Sequence, residues 1–310
     1  MSGGHERAGL LFAAYCVVNS AFVPVFAKLT TVDASGLAVA LWTSVFAGVC
    51  GLAVLAWHGE LRLLFARRTA PVLIAVGALG TALAFLLFFE GAKRVSAIDT
   101  AVCVQTEPLF ALIGARVFLG HALTWRRVLA VAAILVGIAL ALGARPLEGS
   151  LGVAMLLATP LAWQSSHWIA LRGLEGVNPR LLTGARYVFG ALVLLPFWLV
   201  IDGVESLPPR RELLELLPVV ALQGALISYG GTLAWYASIK RLDLARTTAI
   251  VVPSAPLLSL AITYLVLGEL VSVRQAIGFV VTAAGVLAFA LAPSAVRATI
   301  PRVTDGVGQS

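Results

Sequence analysis

Glu107 most needs a chemical explanation in this chain: it stands near the middle of the apolar stretch 98–119, directly before Pro108. A carboxylate at the centre of a lipid-crossing helix costs about 2.5–3.5 kcal/mol on insertion scales. It must therefore face protein or a wet cavity, where it would bind a proton or a cationic group; the competing reading is a neutral acid bonded to a neighbouring helix as packing glue. Tyr15 and Asn19 stand four apart, and Gln164 and His167 three apart, so each pair projects from one helix face. Both pairs suit either substrate contact or interhelical hydrogen bonding. Arg186 falls about a turn and a half inside an apolar segment, where it either snorkels to the interface or meets a substrate carboxylate. Trp235 and Tyr236, with Tyr229 seven residues before the latter, could stack on or bond a ligand, or simply pack. Pro108, Pro253 and Pro256 each remove a backbone donor and distort the preceding turn, which leaves carbonyls free to line a cavity. Glu90 and Lys93 are spaced for a local ion pair, and Asp99 for capping a helix start.

These residues do not compose an enzyme. His5, His58, His121 and His167 are scattered, neither H-E-x-x-H nor G-x-S-x-G occurs, and Cys16, Cys50 and Cys103 show no metal spacing. No catalytic residue, metal or cofactor is expected. A channel is equally disfavoured, for want of a repeated filter loop or a ring of like charges.

The elements that must position these groups follow from composition. Hydrophobic residues make up 60% of the 310, and charged ones only 12%, against about 25% charged in soluble proteins. Lipid is the expected solvent. The net charge of +7 comes from basic residues lying singly or in pairs between apolar runs, which is the pattern of membrane flanks and not of a nucleic-acid surface. With about 20 residues needed per crossing, about ten spans are expected: 9–29, 36–57, 71–91, 98–119, 128–142, 151–171, 181–201, 218–239, 247–267 and 276–292. The first is read as a retained span and not as a cleaved signal peptide. Residues 293–310 read as a disordered tail. Lys and Arg divide thirteen against seven between alternate sides, which puts both termini in the cytoplasm.

An internal repeat organises the spans. "TAVCVQTEPLFALIGARVFLG" from Thr100 and "TAIVVPSAPLLSLAITYLVLG" from Thr248 share spacing at an offset of 148, with Pro108 matching Pro256 and Gly120 matching Gly268. Because the repeat point follows five spans, an odd number, the two copies enter the bilayer in opposite senses. The expected architecture is all-α, with two inverted five-helix repeats at 1–147 and 148–292. Such repeats place a substrate site near the midplane and permit alternating access by rocking.

The pair Glu107–Pro108 within "QTEPLFALIGARVFLG", the following "TWRRVLAVAAILVGIAL", and the second copies "PSAPLLSLAITYLVLGE" and "VRQAIGFVVTAAGVLA" resemble the EamA-type members of the drug/metabolite transporter superfamily. The resemblance covers nearly the whole chain. It implies a cavity lined by spans one, three and four with six, eight and nine, leaving five and ten peripheral. It also implies a secondary transporter that exports or exchanges a small polar metabolite, with amino acids or related compounds the leading guess. A multidrug or nucleotide-sugar type carrier and a non-transporting scaffold are the alternatives. The expected setting is a plasma membrane, of the bacterial inner-membrane kind, with a monomer or weak homodimer, a small-molecule substrate and a coupling proton as candidate partners, and no nucleic acid. This chain departs from an even pattern in having Ala255 where the first copy has Glu107.

Overall fold

The computed structural model describes residues 2–119, 123–143, 147–173, 177–242 and 244–292; His121 and the tail 293–310 lie outside them. Among the described residues every regular element is helical. Ten segments result. Span one is α1 (Ser2–Thr30) and span two is α2 (Gly36–Trp57). Span three joins α3 (Ala70–Gly77) to α4 (Ala84–Arg94) through a π-helical turn, Ala78–Leu83. Span four joins α5 (Ala97–Cys103) to α6 (Glu107–Leu119) through the 3₁₀ turn Val104–Thr106. Spans five, six and seven are α7 (Trp125–Leu142), α8 (Leu147–Gly173) and α9 (Pro179–Ile201). Span eight repeats the plan of span three, α10 (Arg210–Leu222) passing through the π-helical Gln223–Gly230 into α11 (Gly231–Leu242). Spans nine and ten are α12 (Leu244–Leu267) and α13 (Val273–Leu291).

Among the described residues eight helical stretches are long and apolar enough to cross a bilayer, and Ser254–Leu267 is a shorter apolar helix. Their outward faces carry large apolar side chains such as Leu11, Val200 and Leu265, each more than 70% exposed, a surface that water would not tolerate and lipid solvates. The protein is a multi-pass integral membrane protein.

Local chemistry explains the helix ends. Ser35, Ser96 and Thr124 cap α2, α5 and α7 through their hydroxyls, and Ser272 with Gln275 forms a reciprocal capping box on α13. The carboxylate of Glu269 adds a cap from the other half of the chain, accepting from the N–H groups of Ala97 and Ile98 at 3.2 and 3.3 Å. Asp99 is therefore not the cap of span four. It is buried and accepts from Gln275 Nε2 at 3.2 Å. The expected Glu90–Lys93 pair is also absent. Glu90 pairs with Arg94, one turn on, and accepts from the N–H of Leu37, while Lys93 donates to the Ala34 carbonyl.

Small residues decide how the spans cross. A Cβ at Gly51 of α2 would stand 2.7 Å from Gly184 Cα of α9, so these backbones touch. Gly137 of α7 meets Gly278 and Thr282 of α13 just as tightly, and Gly285 of α13 meets Ala130 and Ile134 of α7. The small-residue faces of spans five and ten thus pair with one another within the molecule. Span three lies against α8 and α9, where a Cβ at Gly77 would stand 3.0 Å from the Gly190 nitrogen, and span eight lies against α1 and α2, where a Cβ at Gly224 would stand 2.7 Å from the Thr43 carbonyl oxygen. Each half therefore packs its π-turn segment into the other.

Candidate functional site

A cavity of about 310 Å³ opens between the halves, lined from α1, α4, span four, α8, α9, span eight and α12. Spans five and ten do not line it, in keeping with their peripheral place. Span seven does, through Arg186 and Tyr187, which the family resemblance did not imply; the Gly51–Gly184 contact brings α9 inward.

Pro108 works through the backbone. It has no N–H to give the Val104 carbonyl, so the Glu107 N–H takes that carbonyl instead and tightens one turn to 3₁₀. This break turns the Glu107 side chain to the cavity, where Gln164 Nε2 donates to its Oε1 at 2.8 Å. Gln164 supports the site from behind and is not part of the cavity lining, whereas His167, one turn further along α8, lines it.

Arg186 is 7% exposed, so it does not snorkel to an interface. Its Nε donates to Thr81 Oγ1 at 3.1 Å and its Nη2 to the Gly80 carbonyl. Both acceptors belong to the π-turn of span three, whose widened winding turns backbone carbonyls away from the regular ladder. Among the described residues Arg186 is in no ion pair, and it lines the same cavity as Glu107, His167, Tyr187 and Tyr236. Asn19 mirrors this arrangement from α1. Its Nδ2 donates to the Ile227 carbonyl in the π-turn of span eight at 2.8 Å. Tyr15 bonds the neighbouring Leu226 carbonyl at 2.9 Å but is 40% exposed and lies outside the cavity.

Trp235, Tyr236 and Pro256 line the cavity. Pro253 lies within α12, with its side chain outside the described residues. Sequence reasoning missed Gln223, Ser228, Thr232 and Tyr187, and with them the phenylalanines Phe85, Phe88 and Phe89. A signal for them existed. Residues 77–94, GALGTALAFLLFFEGAKR, align without a gap on 224–241, GALISYGGTLAWYASIKR, at an offset of 147. Gly80 then matches Ile227, and Phe85, Phe88 and Phe89 match Thr232, Trp235 and Tyr236. All six of those side chains line the cavity. Span three thus offers an aromatic hydrocarbon wall, extended by Trp163 at 6.1 Å from Phe88 between ring centroids. Span eight offers a wall of aromatic rings and hydrogen-bonding groups. An acid, a buried cation, a polar side and an apolar side could together hold a small amphipathic solute. Among the described residues no three of His, Cys, Asp or Glu come together as metal ligands would.

An uncharacterized transporter of Archaeoglobus fulgidus is 23% identical over 67% of this chain and 73% of its own length. The uncharacterized transporter YyaM of Bacillus subtilis is 25% identical over 84% of this chain and 86% of its own. A protein of known crystal structure shares the fold with a TM-score of 0.65 at 20% identity, over 91% of this chain and 96% of that one. Residues 7–143 and 150–291 each match the EamA-like transporter family. The ten helical segments and the central cavity have their explanation in that match: this chain is a membrane transporter and belongs to the EamA-like transporter family.

Proposed function

We propose that the protein is a secondary transporter that moves a small polar metabolite, an amino acid or a related compound, by alternating access. The observation that carries this reading is the presence in one cavity of Glu107 and Arg186, opposite charges that are not paired with each other. Holding two buried charges apart is costly unless something occupies the space between them part of the time. A zwitterion satisfies both. The cavity volume, at the small end of about 300–1,000 Å³ for small-molecule sites, favours a compact metabolite over a nucleotide sugar.

The halves 1–147 and 148–292 act as the two rocking bodies, with the Gly51–Gly184 crossing near their contact. The carrier resides in a plasma membrane with both termini cytoplasmic and works as a monomer or weak homodimer, and Glu107 exchanges a proton or a substrate ammonium during the cycle. Gln164 would serve either state, since its amide can donate to a carboxylate or accept from an acid.

The test is flux into liposomes across an amino-acid and metabolite panel, with and without an inward pH gradient, for wild type and Glu107→Gln. Saturable flux accelerated by the gradient only in wild type supports a proton-coupled carrier working through Glu107. Gradient-insensitive flux in both keeps the carrier and removes that role. No flux of any solute by folded protein favours an accessory or scaffold role.

A further inference from the structure

The π-turn of span three does more than bend a helix. A guanidinium carries five donors on two usable edges, one formed by Nε and Nη2 and the other by Nη1 and Nη2. In Arg186 the first edge is taken, Nε by Thr81 Oγ1 and Nη2 by the Gly80 carbonyl. Every hydrogen bond Arg186 makes among the described residues uses these two nitrogens, which leaves the Nη1 edge unbonded on a side chain that lines the cavity. The approach is built for this group. A Cβ at Gly80 would stand 3.4 Å from Arg186 Cζ and would collide with Ser166, so a glycine is required for span three to come this near.

We infer that Arg186 is the carboxylate subsite of the cavity: the π-turn clamps one edge of its guanidinium so that the other is presented, oriented in advance, to a planar oxyanion. This rests on the carrier reading above and deepens it, by making the carboxylate the group that must be present on the solute. Preorganisation is the advantage, because a fork already held by neutral acceptors loses little rotamer freedom on binding. Neutral acceptors also leave the positive charge uncancelled. The apolar body of the solute then lies against Phe85, Phe88 and Phe89, and a cationic group, where present, reaches Glu107.

Calorimetric binding to the full chain in nanodiscs tests this with three probes of one shape: L-phenylalanine, 3-phenylpropionate, which lacks the ammonium, and phenethylamine, which lacks the carboxylate. The expected result is that wild type binds both carboxylates and binds phenethylamine at least about 10-fold more weakly. Arg186→Gln should weaken both carboxylates by about 10- to 100-fold, the scale of hydrogen bonds to charged groups, and leave phenethylamine unchanged. Arg186→Lys should recover only part of the loss, since an ammonium lacks the planar fork. Thr81→Val, which keeps the shape and removes the Nε acceptor, should lower the ratio of 3-phenylpropionate to phenethylamine affinity several-fold. Equal weakening of all three probes by Arg186→Gln, an unchanged ratio in Thr81→Val, or no binding of either carboxylate to wild type overturns the subsite. The flux panel decides separately whether the protein is a carrier: transport of solutes without a carboxylate keeps that reading and removes this one.

Discussion

Spans three and eight are two versions of one segment. Both carry Gly-Ala-Leu at a π-turn and Lys-Arg near their ends, and both have a carbonyl in that turn bonded by a polar side chain from the other half, Gly80 by Arg186 and Ile227 by Asn19. Their cavity faces differ. Phe85, Phe88 and Phe89 on one side stand where Thr232, Trp235 and Tyr236 stand on the other. Backbone geometry is repeated because both segments must pack into the opposite half at a glycine, Gly77 on one side and Gly224 on the other. Side-chain chemistry is free to diverge, because the residues that face the cavity are not bound by those backbone contacts. A repeat fold therefore acquires an oriented site by changing what lines its two π-turn segments.

The anchors are the place where this difference should show most. Arg186→Leu is expected to lower flux of a carboxylate-bearing substrate by about 100-fold, the upper range for hydrogen bonds to a charged group, whereas Asn19→Leu should cost nearer 10-fold, as for a neutral bond. Equal losses measured in liposomes would break the distinction between a charged and a neutral anchor. A second contrast sets the cavity against the periphery. Gly137→Val in α7 drives a branched side chain into Thr282 and the Gly278 carbonyl, at about 1–3 kcal/mol for overpacking. It should lower the yield and melting temperature of purified protein while leaving KM per folded molecule unchanged.

Exchanging the walls should have a smaller effect. Phe89→Tyr gives span three the phenol that Tyr236 gives span eight, and a hydroxyl facing an apolar solute in an open cavity costs about 1 kcal/mol, the low end for a hydroxyl without a matching partner. KM for a substrate with an apolar body should rise about 5- to 10-fold, and the reciprocal Tyr236→Phe should raise KM only for substrates with a polar one. The smallest effect is expected from Tyr15→Phe. It removes the bond to the Leu226 carbonyl outside the cavity, lowering stability by about 0.5–1.5 kcal/mol without changing KM.

Most of the architecture was legible from residues alone. Period and length located all ten segments, since lipid demands long uninterrupted apolar helices and tolerates little else. Glu107 and Pro108 announced themselves by cost, being expensive where they stand. Arg186 was equally visible but not its place: depth along a helix does not say which way the side chain points, and only the contact between α9 and span three shows it turned inward, away from the interface. Tyr15 and Asn19 show the same limit within one helix face. The four-residue spacing predicted a shared side, and both do reach the π-turn of span eight, yet only Asn19 lines the cavity.

By itself, then, the sequence determined the solvent of the molecule, the number and rough extent of its spans, the repeated segments in its two halves and the presence of an acid deep within an apolar span, because each of these depends on local composition or on counting along one chain. Only the tertiary structure decided that span seven enters the cavity, that the π-turns of spans three and eight accept Arg186 and Asn19 from the opposite halves, and that the two walls differ in polarity. Those features depend on which glycines let two backbones meet, and a meeting between residues more than a hundred positions apart is set by packing in three dimensions and by no single stretch of chain.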